Sequence, residues 1–128
     1  MLEIGTKGTA STAVTIDNTA KAFCSGAVEV FATPAMVSLM EECCWKMIQP
    51  ELDEGTTSVG SKVNISHMAP SAVGATIECD ATLIDIDGRK LTFEVVCSDE
   101  NGVVGMGTHE RFIVNTEKFL AKANGLNK

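Results

Sequence analysis

Three side chains in this sequence carry chemistry that their neighbours do not explain. Glu41 stands in the run from Pro34 to Gln49, most of which is apolar. Read as a helix, that run places Glu41 four residues from Val37, three from Cys44 and seven from Ile48. This sets it on an apolar face, roughly opposite Ser38, Glu42, Lys46 and Gln49. A carboxylate so placed has to be hydrogen-bonded or paired. His67 continues the Val63 and Ile65 face of an alternating segment, so it is either a satisfied core residue or a base held in one tautomer by a carboxylate. Thr33 precedes Pro34, and its hydroxyl serves as a helix cap, as a nucleophile or to position a substrate. Threonine, histidine and carboxylate make a nucleophile, a base and an orienting group only where the fold brings them together. Periodicity predicts that they face inward and is silent on contact.

The segment "GMGTHERF", residues 105–112, is the other chemically dense stretch. Its glycines permit a bulge or a close backbone approach. His109 and Glu110 fall on opposite strand faces, and Arg111 either binds an anion or pairs with a carboxylate. "GMG" lacks the strand-to-helix setting of a dinucleotide loop. The cysteines Cys24, Cys43, Cys44, Cys79 and Cys97 form no CxxC pair, and Cys43 and Cys44 point about 100° apart on a helix. No metal site is expected.

The elements that must position these groups are legible in outline. A first strand is predicted over residues 12–16, a helical turn over Thr19 to Cys24 and an extended piece over Val28 to Ala32. The helix of Pro34 to Gln49 has Thr33 as its cap, Pro34 in its first turn and Pro50 at its end. It is apolar enough to be mostly wrapped. From Val59 to Met68 the period becomes two, with Val59, Val63, Ile65 and His67 on one face. Ile77, Cys79, Ala81 and Leu83 alternate next, then Leu91, Phe93, Val95 and Cys97, with an Asp-Gly hairpin signal between them. A last strand runs from Val103 to Val114, and the tail is expected to fray beyond Phe119. One apolar helix and about four consecutive antiparallel strands make an α+β domain whose sheet curls around the helix.

The 128 residues, 45% of them hydrophobic, suit one domain over 1–128 that buries its own core. The formal net charge of -7 excludes general nucleic-acid binding. An anionic ligand would need a local basic spot, for which Lys62, Arg89, Lys90 and Arg111 are the candidates. The N-terminus has no basic-then-apolar pattern and no apolar run approaches the ~20 residues of a membrane span. A cytoplasmic protein with reduced cysteines and no membrane association is expected.

The segments "VFATPAMVSLMEECC", "GSKVNISHMAPSAVG" and "GVVGMGTHERFIV" resemble the fluoroacetyl-CoA thioesterase group of the hotdog superfamily, from about Val28 to Phe119. The resemblance implies a hotdog fold, a homodimer or higher assembly with active sites near the subunit interface, and hydrolysis of an acyl-CoA or acyl-pantetheine thioester without a cofactor. It implies catalytic roles for Thr33, Glu41 and His67, the residues singled out above. Gly60 matches a glycine near the thioester carbonyl, where an amide stabilises developing charge. Arg111 matches the arginine of the "THER" segment, and Phe23 partly fills the role of an aromatic lid. Thr33-Pro34 replaces the group's Thr-Gly step, and the stretch before the helix is shorter, so the fluorinated acyl group is not carried over. A short or medium acyl chain is the expectation. A non-hydrolytic acyl-thioester binding module and a dehydratase of the same fold are the alternatives.

Overall fold

Alternation in the sequence builds a sheet, and the apolar helix fills its concave face. The computed structural model describes residues 2–125. Five strands, β1 (Lys7–Ala13), β2 (Thr56–His67), β3 (Thr76–Asp87), β4 (Lys90–Asp99) and β5 (Gly102–Asn115), form one antiparallel sheet in the order β1-β3-β4-β5-β2. The helix α1 (Thr33–Ile48) lies between β1 and β2 in the chain, and α2 (Thr116–Ala123) follows β5. This is the hotdog arrangement.

The core sits where the pattern put it. Ile77, Cys79, Ala81 and Leu83 of β3 and Leu91, Phe93, Val95 and Cys97 of β4 are buried against Met36, Leu39, Met40, Cys43, Cys44 and Ile48 of α1. Cysteine behaves here as a small apolar residue. Burial pushes the Cys44 thiol far above its ordinary value, so it stays protonated. Gly105 and Gly107 let β5 approach its neighbours closely. A β-carbon on Gly105 would lie 2.5 Å from the Met36 sulfur, and one on Gly107 would strike the Asn64 carbonyl and Ile65 of β2.

Five expectations need correction. The first strand is Lys7–Ala13, and Ile16–Asn18 is a 3-10 turn, because Thr15 and Asn18 form a reciprocal cap there. The cap of α1 is Ala32, with Thr33 already inside the helix and no side-chain cap bond. Nor is α1 mostly wrapped: Thr33, Pro34, Ser38, Trp45 and Lys46 are exposed, with Val37, Glu41 and Glu42 half-buried beside them. Glu41 therefore shares the solvent side with Ser38 and Glu42 instead of opposing them. Val59 faces away from the Val63 side because β2 bulges between Gly60 and Lys62 and reverses the alternation. The tail continues as α2 to Ala123, capped by the Asn115 side chain on the Lys118 amide at 3.0 Å. Among the described residues no helix is long and apolar enough to cross a membrane.

Candidate active site

Because Ala32 caps α1, the Thr33 hydroxyl is not spent on the helix end. It meets the Nδ1 of His67 at 2.7 Å. The segment before α1 is fixed by the Phe31 amide donating to the Ser71 carbonyl at 2.9 Å and by bridges joining Thr19 to Phe31 and Val30 to Ala72. His67 ends β2 opposite Gly105. The buried Phe31 ring stands edge-on to the imidazole, with centroids 6.5 Å apart. A cleft of about 280 Å³ opens over the pair, walled by Ala20, Val30, Phe31, Met68 and Ala69. With Thr33 donating to Nδ1, the imidazole proton sits on Nε2. That atom is buried and has no hydrogen-bond partner among the described residues.

A second cluster surrounds Arg111, which is 5% exposed. Its Nε donates to the Ser58 hydroxyl at 2.8 Å, its Nη2 to the Ser58 carbonyl at 2.9 Å and its Nη1 to the Nε2 of His109 at 3.0 Å. His109 donates from Nδ1 to the Lys62 carbonyl at 2.8 Å and stacks on Phe93. Both ring nitrogens are satisfied only by a neutral imidazole. Burial, with the Arg111 charge adding to it, holds the His109 pKa below its ordinary value. Arg111 Nη1 then faces the Glu41 carboxylate at 3.7 Å. Glu41 is 40% exposed at its side chain and stands against Gly60.

The two clusters do not meet within the chain. Thr33 and Glu41 are eight residues apart on α1, roughly 12 Å along the axis. Gly60 and His67 are roughly 20 Å apart along β2. The structure thus joins Thr33 to His67, and Glu41 to Gly60 and Arg111. Phe23 lines a different cleft, of about 190 Å³, with Asn18, Ala35, Ser38 and Glu42, separated from the Thr33 cleft by Phe31. His109 and Ser58 escaped the sequence reading as site residues. His109 had a signal, since it shares a strand face with Arg111 two residues on. Ser58 had none, because the bulge at Gly60 conceals its parity. Among the described residues no group of three or more His, Cys, Asp or Glu side chains is placed to hold a metal ion.

A family described as fluoroacetyl-CoA-specific thioesterase, FlK, matches residues 14–117 and so spans every residue of both clusters. The chain belongs to this family. It is 40% identical over 94 residues to the fluoroacetyl-CoA thioesterase of Streptantibioticus cattleyicolor, covering 73% of this chain and 68% of that protein. The solved structure of fluoroacetyl-CoA thioesterase FlK superposes with a TM-score of 0.93 at 31% identity, over 100% of this chain and 99% of that one. A thioesterase superfamily member from Thermus thermophilus superposes at 0.90 with 30% identity, over 98% and 93% of the two chains.

Proposed function

We propose that this family member is an acyl-CoA thioesterase acting as a homodimer, with Thr33 and His67 of one protomer completed by Glu41, Gly60 and Arg111 of the other. The observation that carries the reading is His67: its Nδ1 is engaged by a hydroxyl at 2.7 Å while its buried Nε2 has no partner among the described residues. A buried N–H of this kind calls for a partner, and a carboxylate is the best one. β2 is an edge strand, and an edge of twelve residues invites pairing with a second copy. Antiparallel pairing of two β2 strands about a two-fold axis at Asn64, with Ser61 out of register at the bulge, sets Gly60 opposite the partner's His67. The same axis near Val37 runs the two α1 helices antiparallel, bringing Glu41 toward the partner's Thr33 and His67.

In that arrangement His67 is the general base. Its Nδ1 takes the proton of Thr33, or of a water that Thr33 positions, as the oxygen attacks the thioester carbonyl. The imidazolium is stabilised by the partner's Glu41 and returns the proton to the departing CoA thiolate. The amide at Gly60 supports the tetrahedral oxyanion. If Thr33 attacks directly, water then cleaves its ester by the same route. The 280 Å³ cleft, narrowed by Phe31 and Met68, supports an acyl group of a few carbons. Family membership and the likeness to FlK support the CoA thioester. Five free cysteines, four of them buried, support a reducing compartment, the cytoplasm.

The test is free-thiol release from a series of acyl-CoAs, with the His67→Ala protein alongside. Fast, His67-dependent release for short chains is expected. Tight binding of every thioester without release would replace the enzyme with a binding module.

A further inference from the structure

Arg111 and Glu41 stop 3.7 Å apart, beyond hydrogen-bonding reach, although an unrestrained guanidinium would close on a carboxylate this near. Three hydrogen bonds hold the guanidinium back. Ser58 takes one edge, its hydroxyl accepting from Nε at 2.8 Å and its carbonyl from Nη2 at 2.9 Å. His109 takes the other, its Nε2 accepting from Nη1 at 3.0 Å. Nη1 is also the nitrogen that faces Glu41. His109 accepts there because its own proton is on Nδ1, which donates to the Lys62 carbonyl, just past the β2 bulge, at 2.8 Å. The Phe93 ring, stacked on the imidazole with centroids 6.2 Å apart, fixes its plane. All three groups converge on Gly60: a β-carbon there would lie 2.6 Å from the Glu41 oxygen, 3.2 Å from His109 Cε1 and 3.4 Å from Arg111 Nη1. We infer that His109 is a positioning residue, whose Nε2 lone pair holds the Arg111 guanidinium near enough to keep Glu41 in place and too far to capture it in a hydrogen bond.

The role rests on the thioesterase reading and extends it. A carboxylate captured by Arg111 in a charge-assisted bond turns away from the partner's His67, whose imidazolium it has to stabilise. A carboxylate with no cation beside it loses its fixed place. His109, itself buried, sets the distance between the two. Protonation of His109 removes the lone pair and puts a second cation against Nη1, so that Arg111 is driven toward Glu41. The charged groups around the ring are Arg111 and Glu110 of β5 and Glu41 of α1. Cys44 of α1, beside Arg111, keeps its proton, β2 offers the Lys62 carbonyl and β4 the uncharged Phe93. Burial is the largest influence, and it keeps the imidazole neutral to lower pH than an ordinary histidine. The hold on Arg111 is therefore complete above about pH 6.5 and is lost as the pH falls from there toward the folded-state value.

The test compares His109→Leu, which removes the acceptor, with His109→Gln, which keeps one and does not titrate. In a crystal structure of His109→Leu, Arg111 is expected to close on Glu41 to about 2.8 Å. The kcat of this variant for the best acyl-CoA of the series is expected to fall about ten- to a hundredfold, with KM changed by less than about twofold. His109→Gln is expected to recover most of kcat. As the pH is lowered within the folded range, wild-type kcat is expected to fall with the uptake of two protons, by His67 and His109, and that of His109→Gln with the His67 proton alone. An undiminished kcat in His109→Leu, or equal loss in both variants, overturns the assignment. Should His109→Leu not fold, the pH profiles decide, and identical acid limbs for wild type and His109→Gln overturn it. If wild-type protein hydrolyses no thioester, the thioesterase reading falls by itself. Closure of Arg111 on Glu41 in His109→Leu then upholds the hold of His109 on Arg111, and a gap still at 3.7 Å ends it.

Discussion

A Glu41 carboxylate oxygen lies 2.6 Å from the point that a β-carbon on Gly60 would occupy. Glycine at this position is therefore the vacancy into which the carboxylate fits, beside Arg111 at 3.7 Å. Gly60→Ala leaves the backbone nearly where it is, because the nearest atom ends a flexible side chain and the His109 ring, at 3.2 Å, has to give by only a few tenths of an ångström. Its expected effect is a displaced Glu41, with thioester hydrolysis down by about a hundredfold and the thermal midpoint shifted by only a few degrees. Equal activity in the alanine variant would show that Glu41 has no fixed task.

The 2.7 Å contact between Thr33 and His67 makes both side chains targets. His67→Ala is expected to lower kcat by roughly a hundred- to ten-thousandfold. Thr33→Ser, which keeps the hydroxyl, is expected to retain far more activity than Thr33→Val, which keeps the shape. Rates for the two Thr33 variants within a factor of about two of each other would remove the hydroxyl from the mechanism.

His109 couples stability to pH. Its pKa is lowered in the fold from an ordinary value of 6.5, so the unfolded chain binds a proton that the folded chain refuses. Stability is then complete above about pH 6.5 and falls as the pH drops from there toward the folded-state value. His109→Gln keeps a donor for the Lys62 carbonyl and an acceptor for Arg111 but does not titrate. Urea midpoints measured from pH 8 to pH 5 are expected to fall less steeply for this variant than for wild type. Identical slopes would assign the acid sensitivity to other groups.

How much of this was legible in the sequence depended on whether a local period decided the matter. β3 and β4 were, because Ile77 to Leu83 and Leu91 to Cys97 alternate without interruption and all the inward residues are buried. The bulge at Gly60 was not, since one extra residue reverses the parity of Val59 and Ser58 without altering composition. The helix was found, but its exposed side was misjudged. Val37 reads as apolar core yet stands half-buried beside Glu41, where a second copy would cover it. Thr33, Glu41 and His67 stand out in the sequence as chemically unexplained residues, and the structure sets Thr33 against His67 and Glu41 beside Gly60 and Arg111. Their division into two clusters follows from distances along α1 and β2 that appear only when the elements are laid against each other.

Gly107 tests how β5 holds β2. A methyl group there would meet the Asn64 carbonyl and the Ile65 backbone, neither of which has a flexible route of retreat. Gly107→Ala is expected to cost about 1–3 kcal/mol in urea unfolding and to weaken dimerisation, because the strand it displaces is the one proposed to pair. An unchanged midpoint would mean that the two strands separate more easily than their register implies.

The composite site is the central claim, and complementation tests it most directly. His67→Ala and Glu41→Ala proteins are each expected to be nearly inactive. Co-expressed, they form mixed dimers in which one site combines an intact His67 with the partner's intact Glu41. Random pairing is then expected to restore about a quarter of the wild-type rate. If mixed dimers form, as shown by two different affinity tags on one assembly, and no activity returns, the site lies within a single protomer and the account is wrong.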